Sequence, residues 1–306
     1  MRILVAGGTG FIGTNLCVEL AERGHEVTAL SRSPDSSGLP DGVETAVGDV
    51  SAYDSIAPTV AAHDAVVNLV SLSPLFEPPS GTSHEEVHLG GTENLVRAAE
   101  DGGIDRFLQM SALGADPNGD TAYIRAKGKA EQVVRDSSLA WTIVRPSVVF
   151  GDGGEFVAFT KTLTTPYVTG LPGGGKTRFQ PIWVGDLVPI LADALEDDAH
   201  IDEAYELGGP QVLTLADVTE LTYEAEGKDV TIVPIPMGLA RVGLSAAGPL
   251  PFVPFGPDQA RSLAFDNTVV DNDVTAFGRD PAELTTLSAY LGLEGTTRRS
   301  KPTEMA

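Results

Sequence analysis

The chain has 306 residues, 42% of them hydrophobic, and a mean hydropathy near zero, enough apolar material for one large core or two small ones. Its 43 acidic residues face only 20 basic ones, a formal net charge of −23, and six of the basic residues are lysine. A surface of that sign repels nucleic-acid phosphates and anionic lipid, which excludes nucleic-acid binding, and it suits a salt-rich interior where self-repulsion is screened over short distances.

No run approaches the roughly 18 to 20 apolar residues of a membrane span, and MRILVAGG enters structure directly without a leader pattern, so a halophilic, cytoplasmic protein is expected. RILVAG (2–7) reads as a strand, followed by a glycine turn and the apolar-periodic FIGTNLCVELAERG, a helix ending at Gly24. The single cysteine, Cys17, falls within that helix pattern and reads as core; one thiol forms neither an internal disulfide nor a cysteine-rich metal site. Between strand and helix, GGTGFIG supplies Gly7, Thr9, Gly10, Phe11, Ile12 and Gly13. Glycines at this spacing allow a tight turn, close pyrophosphate approach and helix packing, so this turn predicts dinucleotide binding. The second strand, 26–30, ends in Ser31 and Arg32 where a carboxylate would hold a ribose 2′-hydroxyl. A guanidinium there suits the 2′-phosphate of NADP over NAD, with a solvated loop charge as the alternative reading.

Further strands are expected over 43–47, 65–70, 106–110 and from residue 140, with helices over 83–102 and about 121–137. That alternation predicts an α/β fold of the Rossmann type, a doubly wound parallel sheet. We divide the chain into a dinucleotide-binding domain (1–150), a substrate-side region (151–294) partly interleaved with the first, and a mobile tail (295–306). HEEVH (84–88) has the spacing of a zinc-binding helix, yet lies in an ordinary helix position without a third ligand, so no metal is expected. TAYIRAK (121–127) sets Tyr123 and Lys127 four apart, on one helix face. GLPGGGKT (170–177) fits the phosphate-loop pattern but leads into TRFQPIWV instead of a helix. It reads as a flexible loop above the substrate cleft, where Lys176 could meet an anionic substrate. The nearly uncharged stretch 230–256 reads as a lid, a protein-partner surface, a shallow membrane contact or simple core.

GGTGFIG, GDV (48–50), NLV (68–70), the Tyr123/Lys127 pair, VRPSVVFG (144–151) and PIWVGDL (181–187) together resemble the extended and atypical short-chain dehydrogenase/reductase superfamily. ELGGPQVLT and DNTVVDNDVTAFG further resemble the branch containing the accessory NAD(P)H-binding subunit of respiratory complex I and its prokaryotic relatives. The resemblance implies that Tyr123 exchanges a proton with a substrate hydroxyl or carbonyl while hydride moves to or from nicotinamide. Lys127 would lower the phenol's pKa and hold the nicotinamide ribose. A free phenol titrates near 10, so work at neutrality asks for roughly 4 kcal/mol of help.

The resemblance also makes Asp49 and Val50 flank the adenine, sets Asn68, Leu69 and Val70 beneath the cofactor, and brings Pro146 to Val148 toward the nicotinamide. Asp186 is expected to fix loop structure. The third catalytic member departs from the pattern, because Ser111 is followed by Ala112 where Ser or Thr is usual. Either Ser111 substitutes, or it satisfies backbone and a donor typically worth about 2.7 to 4 kcal/mol is lost. The implied function is oxidoreduction of a small carbonyl or secondary alcohol, apolar or phosphorylated. The alternatives are a catalytically idle NADP(H)-holding assembly protein and a nucleotide-sugar epimerase.

Overall fold

β-Branched runs in the sequence become strands, and apolar-periodic runs become helices, in a computed structural model that describes residues 1–236, 261 and 265–293. The strands in chain order are β1 (Arg2–Ala6), β2 (Glu26–Ser31), β3 (Glu44–Val47), β4 (Ala65–Asn68), β5 (Arg106–Met110), β6 (Ala140–Pro146), β7 (Val149–Phe150), β8 (Tyr167–Pro172), β9 (Arg178–Phe179), β10 (Ile182–Trp183), β11 (Glu203–Leu207), β12 (Leu213–Thr214) and β13 (Val230–Ile235). The helices used below are α1 (Phe11–Glu22), α2 (Tyr53–Val60), α3 (Gly91–Gly102), α4 (Ala122–Arg135), α5 (Glu155–Leu163), α6 (Val184–Glu196) and α7 (Leu215–Glu224).

Seven strands form one all-parallel sheet in the order β11-β6-β5-β4-β1-β2-β3. The direction of winding reverses between β1 and β4, the place where doubly wound sheets open a crevice at the carboxyl ends of their strands. Side chains alternate along β1. Ile3 and Val5 face a layer holding Leu16, Cys17 and Leu20 of α1 with Leu187 and Leu191 of α6, while Leu4 and Ala6 face Ile56, Leu95 and Val134 of α2, α3 and α4. Gly24 ends α1 with φ of +86°, as its position in the sequence predicts.

The loosened pattern beyond Gly151 conceals a return to this sheet. Residues 184–196 form α6 on the α1 side, and β11 pairs in parallel with β6. Buried Arg106, at the start of β5, fastens α6 in place by donating to the carbonyls of Ala194, Leu195 and Asp197 at that helix's C-terminus.

The remaining elements build a smaller cluster of Phe150, Phe156, Leu171, Phe179, Leu215, Val218, Leu221 and Leu287. Residues 230–235 of the apolar stretch are strand β13, paired in parallel with β8. The rest of that stretch, 237–256, and the tail 295–306 lie outside the described residues. Gly170 to Pro172 belong to β8, and Gly173, Gly174 and Gly175 turn with positive φ into β9, so the phosphate-loop pattern has no helix to open. Lys176 is exposed and does not line the cleft, which corrects its expected place above a substrate.

Asn267 joins three segments. Its carbonyl accepts from Ser147 Oγ and Gln180 N, its Oδ1 accepts from Ser147 Oγ and Val148 N, and its own N–H donates to Arg178 O. Asp186 accepts from the Thr285 amide at 2.7 Å, a structural tie. Among the described residues, no helix is long and apolar enough to cross a membrane.

Candidate active site

A cleft of about 940 Å³ opens at the switch between β1 and β4. At one end stands the glycine turn. Gly7 has φ of +81°, and a Cβ at Gly13 would collide with the Gly7 carbonyl, so the first turn of α1 seats closely on the loop only because both are glycine. Gly10 caps the helix without a side-chain acceptor, and no acidic residue occupies the first turn. The positive end of α1 therefore faces the cleft through Phe11, Ile12 and Gly13, a fit for the pyrophosphate of a dinucleotide.

Of the residues expected to serve cofactor or catalysis, Gly7, Gly10, Phe11, Ile12, Gly13, Leu69, Ser111, Tyr123, Pro146 and Val148 all line this one cleft. Thr9, Ser31, Arg32, Asp49, Val50, Asn68, Val70 and Lys127 do not. Thr9 Oγ1 donates to Ser31 Oγ at 3.1 Å, and exposed Arg32 lies next in the chain. Hydrogen bonds from Ser51 hold the Asp49 carboxyl below the usual range, with Arg32 adding a smaller pull. Val50 is buried in the core, against Gly91. Asn68 is buried in a network, donating to Thr92 and Gln109 and accepting from the Val70 amide. Burial pushes the Cys17 thiol up to about 12, consistent with an inert core residue.

The other end of the cleft contains Ser111 and Tyr123. Thr121 caps α4 by accepting from the Ile124 amide, which sets Tyr123 in the helix's first turn. Lys127, one turn on, is fully buried and donates from Nζ to the Met110 carbonyl at 3.1 Å, with Nζ 5.8 Å from the Tyr123 ring centroid. Burial pulls the lysine down to about 8, against the attraction of Glu131, whose carboxylate also binds Arg145 at 2.6 and 2.8 Å. Burial pushes the Tyr123 phenol up to about 12, with a hydrogen bond from Ser71 working the other way. The expected lowering of the phenol is thus corrected: burial dominates, only the Ser71 hydrogen bond opposes it, and the phenol keeps its proton at neutral pH. Ser111 is 3% exposed and its Oγ has no hydrogen-bond partner.

Beneath this pair lies a second difference from the sequence reading. Residues Glu85–Gly90 wind as a π-helix before α3 begins, not as an ordinary α-helix. Both histidines of HEEVH are buried, with their rings 5.4 Å apart and edge-on to Tyr123 at 5.5 and 5.3 Å. His88 Nε2 accepts from the Leu72 amide at 3.3 Å, tying the 71–75 loop to the helix. Burial, with the charge of Lys127 and the neighbouring His84, holds His88 well below its usual range. The i, i+4 spacing of the two histidines sets both rings against the Tyr123 ring. Among the described residues, no three His, Cys, Asp or Glu side chains converge as a metal site. Ser71 gave no signal in the sequence, because its partner lies 52 residues away.

A family model described as NAD(P)H-binding matches residues 7–166, more than half of the chain. The chain belongs to this NAD(P)H-binding family. Its place is within the extended short-chain dehydrogenase/reductase superfamily, and its cofactor class is a nicotinamide dinucleotide. A curated relative in Arabidopsis thaliana, the mitochondrial NADH dehydrogenase (ubiquinone) 1 alpha subcomplex subunit 9, is 30% identical over 289 residues, 88% of this chain and 71% of that protein. An NAD(P)H azoreductase of Xenophilus azovorans is 27% identical over 80% of this chain and 81% of its own length. Among solved structures, the Thermus thermophilus UDP-glucose 4-epimerase in complex with NAD shares the fold, with a TM-score of 0.64 at 23% identity over 88% of this family member and 94% of that chain.

Proposed function

We propose that this chain is an NADP(H)-dependent oxidoreductase interconverting a carbonyl and a secondary alcohol in the cleft. The observation that carries the reading is the Ser111 hydroxyl. A buried donor without a partner costs about 1 to 3 kcal/mol, and an oxygen supplied by a substrate would satisfy it. Bound reduced nicotinamide supplies hydride to the carbonyl carbon. The chain's own residues handle the oxygen. Ser111 Oγ donates to it and orients the carbonyl, and Tyr123 gives up its phenolic proton as that oxygen becomes a hydroxyl. Ser71, exposed and hydrogen-bonded to the phenol, returns a proton from solvent. Lys127 packs its Nζ 5.8 Å from the Tyr123 ring centroid and helps to position that ring, and Ala112 is not needed as a donor. The end of β2 carries Ser31 and Arg32 without a carboxylate, which supports NADP over NAD.

A second reading, a protein that holds cofactor without turnover, draws support from the likeness to the complex I subunit and from the engagement of Lys127 by Met110. The two separate in one experiment. NADPH and NADH are titrated by fluorescence in high salt on the wild type and Arg32→Ala, and oxidation of bound NADPH is then followed with a carbonyl panel on the wild type and Tyr123→Phe. We expect tighter NADPH binding, weakened roughly 10- to 100-fold by Arg32→Ala, and turnover that Tyr123→Phe lowers by about 10² to 10⁴. NADPH binding without oxidation by any carbonyl hands the lead to the second reading.

A further inference from the structure

Among the described residues, every charged side chain that lines the cleft is acidic. Among the described residues, none of those lining the cleft is Lys, Arg or His, whereas Asp116, Asp120, Glu155, Glu206 and Asp266 do line it. Arg145 meets Glu206 at 3.2 Å and Arg178 meets Asp266 at 2.7 Å, but no ion pair among the described residues neutralises Asp116, Asp120 or Glu155. Among the described residues, a phosphate entering here finds three unpaired carboxylates and no lining cation, since Arg145 and Arg178 are already paired with Glu206 and Asp266. The amides at the start of α1 belong to the glycine-turn end of the same cleft and, with the dinucleotide bound, would hold its pyrophosphate.

The floor of the substrate end is hydrocarbon. Phe156, Phe179 and Leu215 reach it from the small hydrophobic cluster, buried Phe159 joins them with Phe76 edge-on at 5.6 Å, and Leu75 and half-exposed Phe265 form the rim. Surfaces of this type orient a ligand through a few polar groups and gain affinity from the apolar area they cover.

The geometry points to an uncharged, apolar carbonyl compound as the substrate class, with its oxygen at Ser111 and Tyr123 and its hydrocarbon body over the Phe156–Phe159–Phe179 floor. This rests on the oxidoreductase reading and removes the nucleotide-sugar alternative, because a sugar diphosphate brings two phosphates to a wall of carboxylates.

Calorimetric titration tests it. The protein is first saturated with NADP⁺ in high salt, then titrated with the methyl ketones from 2-pentanone to 2-nonanone and, separately, with UDP-glucose. The dissociation constant is expected to fall about fourfold for each added methylene, the ratio that ~0.8 kcal/mol per buried CH₂ gives. UDP-glucose is expected to bind at least tenfold more weakly than 2-nonanone. A flat or absent ketone series, or tighter UDP-glucose binding, overturns the substrate class while NADP⁺ binding in the same sample leaves the cofactor reading intact. Failure of the first step, NADP⁺ binding, overturns the oxidoreductase reading and this inference with it.

Discussion

The imidazole of His88 stands edge-on to the Tyr123 ring, with centroids 5.3 Å apart and 88° between the planes. That contact puts a neutral, buried ring below the phenol, and the same imidazole holds the Leu72 amide. His88→Ala removes the packing and leaves the amide without its acceptor, so a stability loss of about 2 to 3 kcal/mol at pH 7 is expected in urea unfolding. The pH dependence carries a further signature. His88 titrates lower in the folded state than in the unfolded chain, so the unfolded state binds the extra proton, and stability falls as pH drops below about 6.5. Wild type should therefore lose up to roughly 1.4 kcal/mol per pH unit that His88→Ala does not lose, and the gap between them should narrow toward pH 5.

Ser111 and its cleft predict opposite effects on activity and stability. With no partner for its hydroxyl, Ser111→Ala removes a buried unsatisfied group, so the variant should be as stable as wild type or up to about 1 kcal/mol more so. Its turnover should fall by about 10² to 10³ if the hydroxyl serves the reacting oxygen. Denaturant melts and carbonyl turnover on one preparation decide this. A variant that loses stability instead would mean that the hydroxyl is satisfied within the protein.

Lys127 predicts a gain in stability at alkaline pH. Its folded value of about 8 lies below that of an unfolded lysine, so between the two the unfolded chain holds the proton that the native protein releases. Stability therefore rises with pH across that window, by on the order of 3 kcal/mol from pH 8 to 10.5. Lys127→Met lacks this contribution, and comparing the two proteins by urea unfolding at pH 7.5 and 10 isolates it from other groups. Parallel behaviour of wild type and variant would show that the ammonium is not penalised by its burial.

The dinucleotide half was legible because its signals are local. A β-branched strand, a turn that requires glycine at Gly7 and Gly13, and a helix that ends at Gly24 all fall within the first 24 residues. The strand at 106–110 was read to the residue because its apolar Phe107, Leu108 and Met110 fall in one short run, and all five of its residues are buried. The edge strand β11 escaped notice because EAYEL is half-exposed and mixed in polarity, and only pairing with β6 makes it a strand. The site was legible as a list of residues but not as an electrostatic environment. Tyr123 and Lys127 share a helix face as their spacing implies, yet the direction of the tyrosine's shift depends on how thoroughly distant segments bury it, which sequence spacing does not encode. His84 and His88 illustrate the same limit, since their spacing is identical for a metal site and for a stacked pair under an aromatic ring.

The clasp at Asn267 orders events during synthesis. β11, the last strand of the main sheet, ends at Leu207, and 60 residues separate it from the asparagine that ties Ser147, Val148, Arg178 and Gln180 together. At ~5 to 20 residues per second, the ribosome needs roughly 3 to 12 s to cover that interval. Every strand of the main sheet has been made by then, while the opposite wall of the cleft, at Ser147 and Val148, still waits for its fastener. The nascent chain thus has its whole parallel sheet seconds before the residue that fastens the far wall of the cleft.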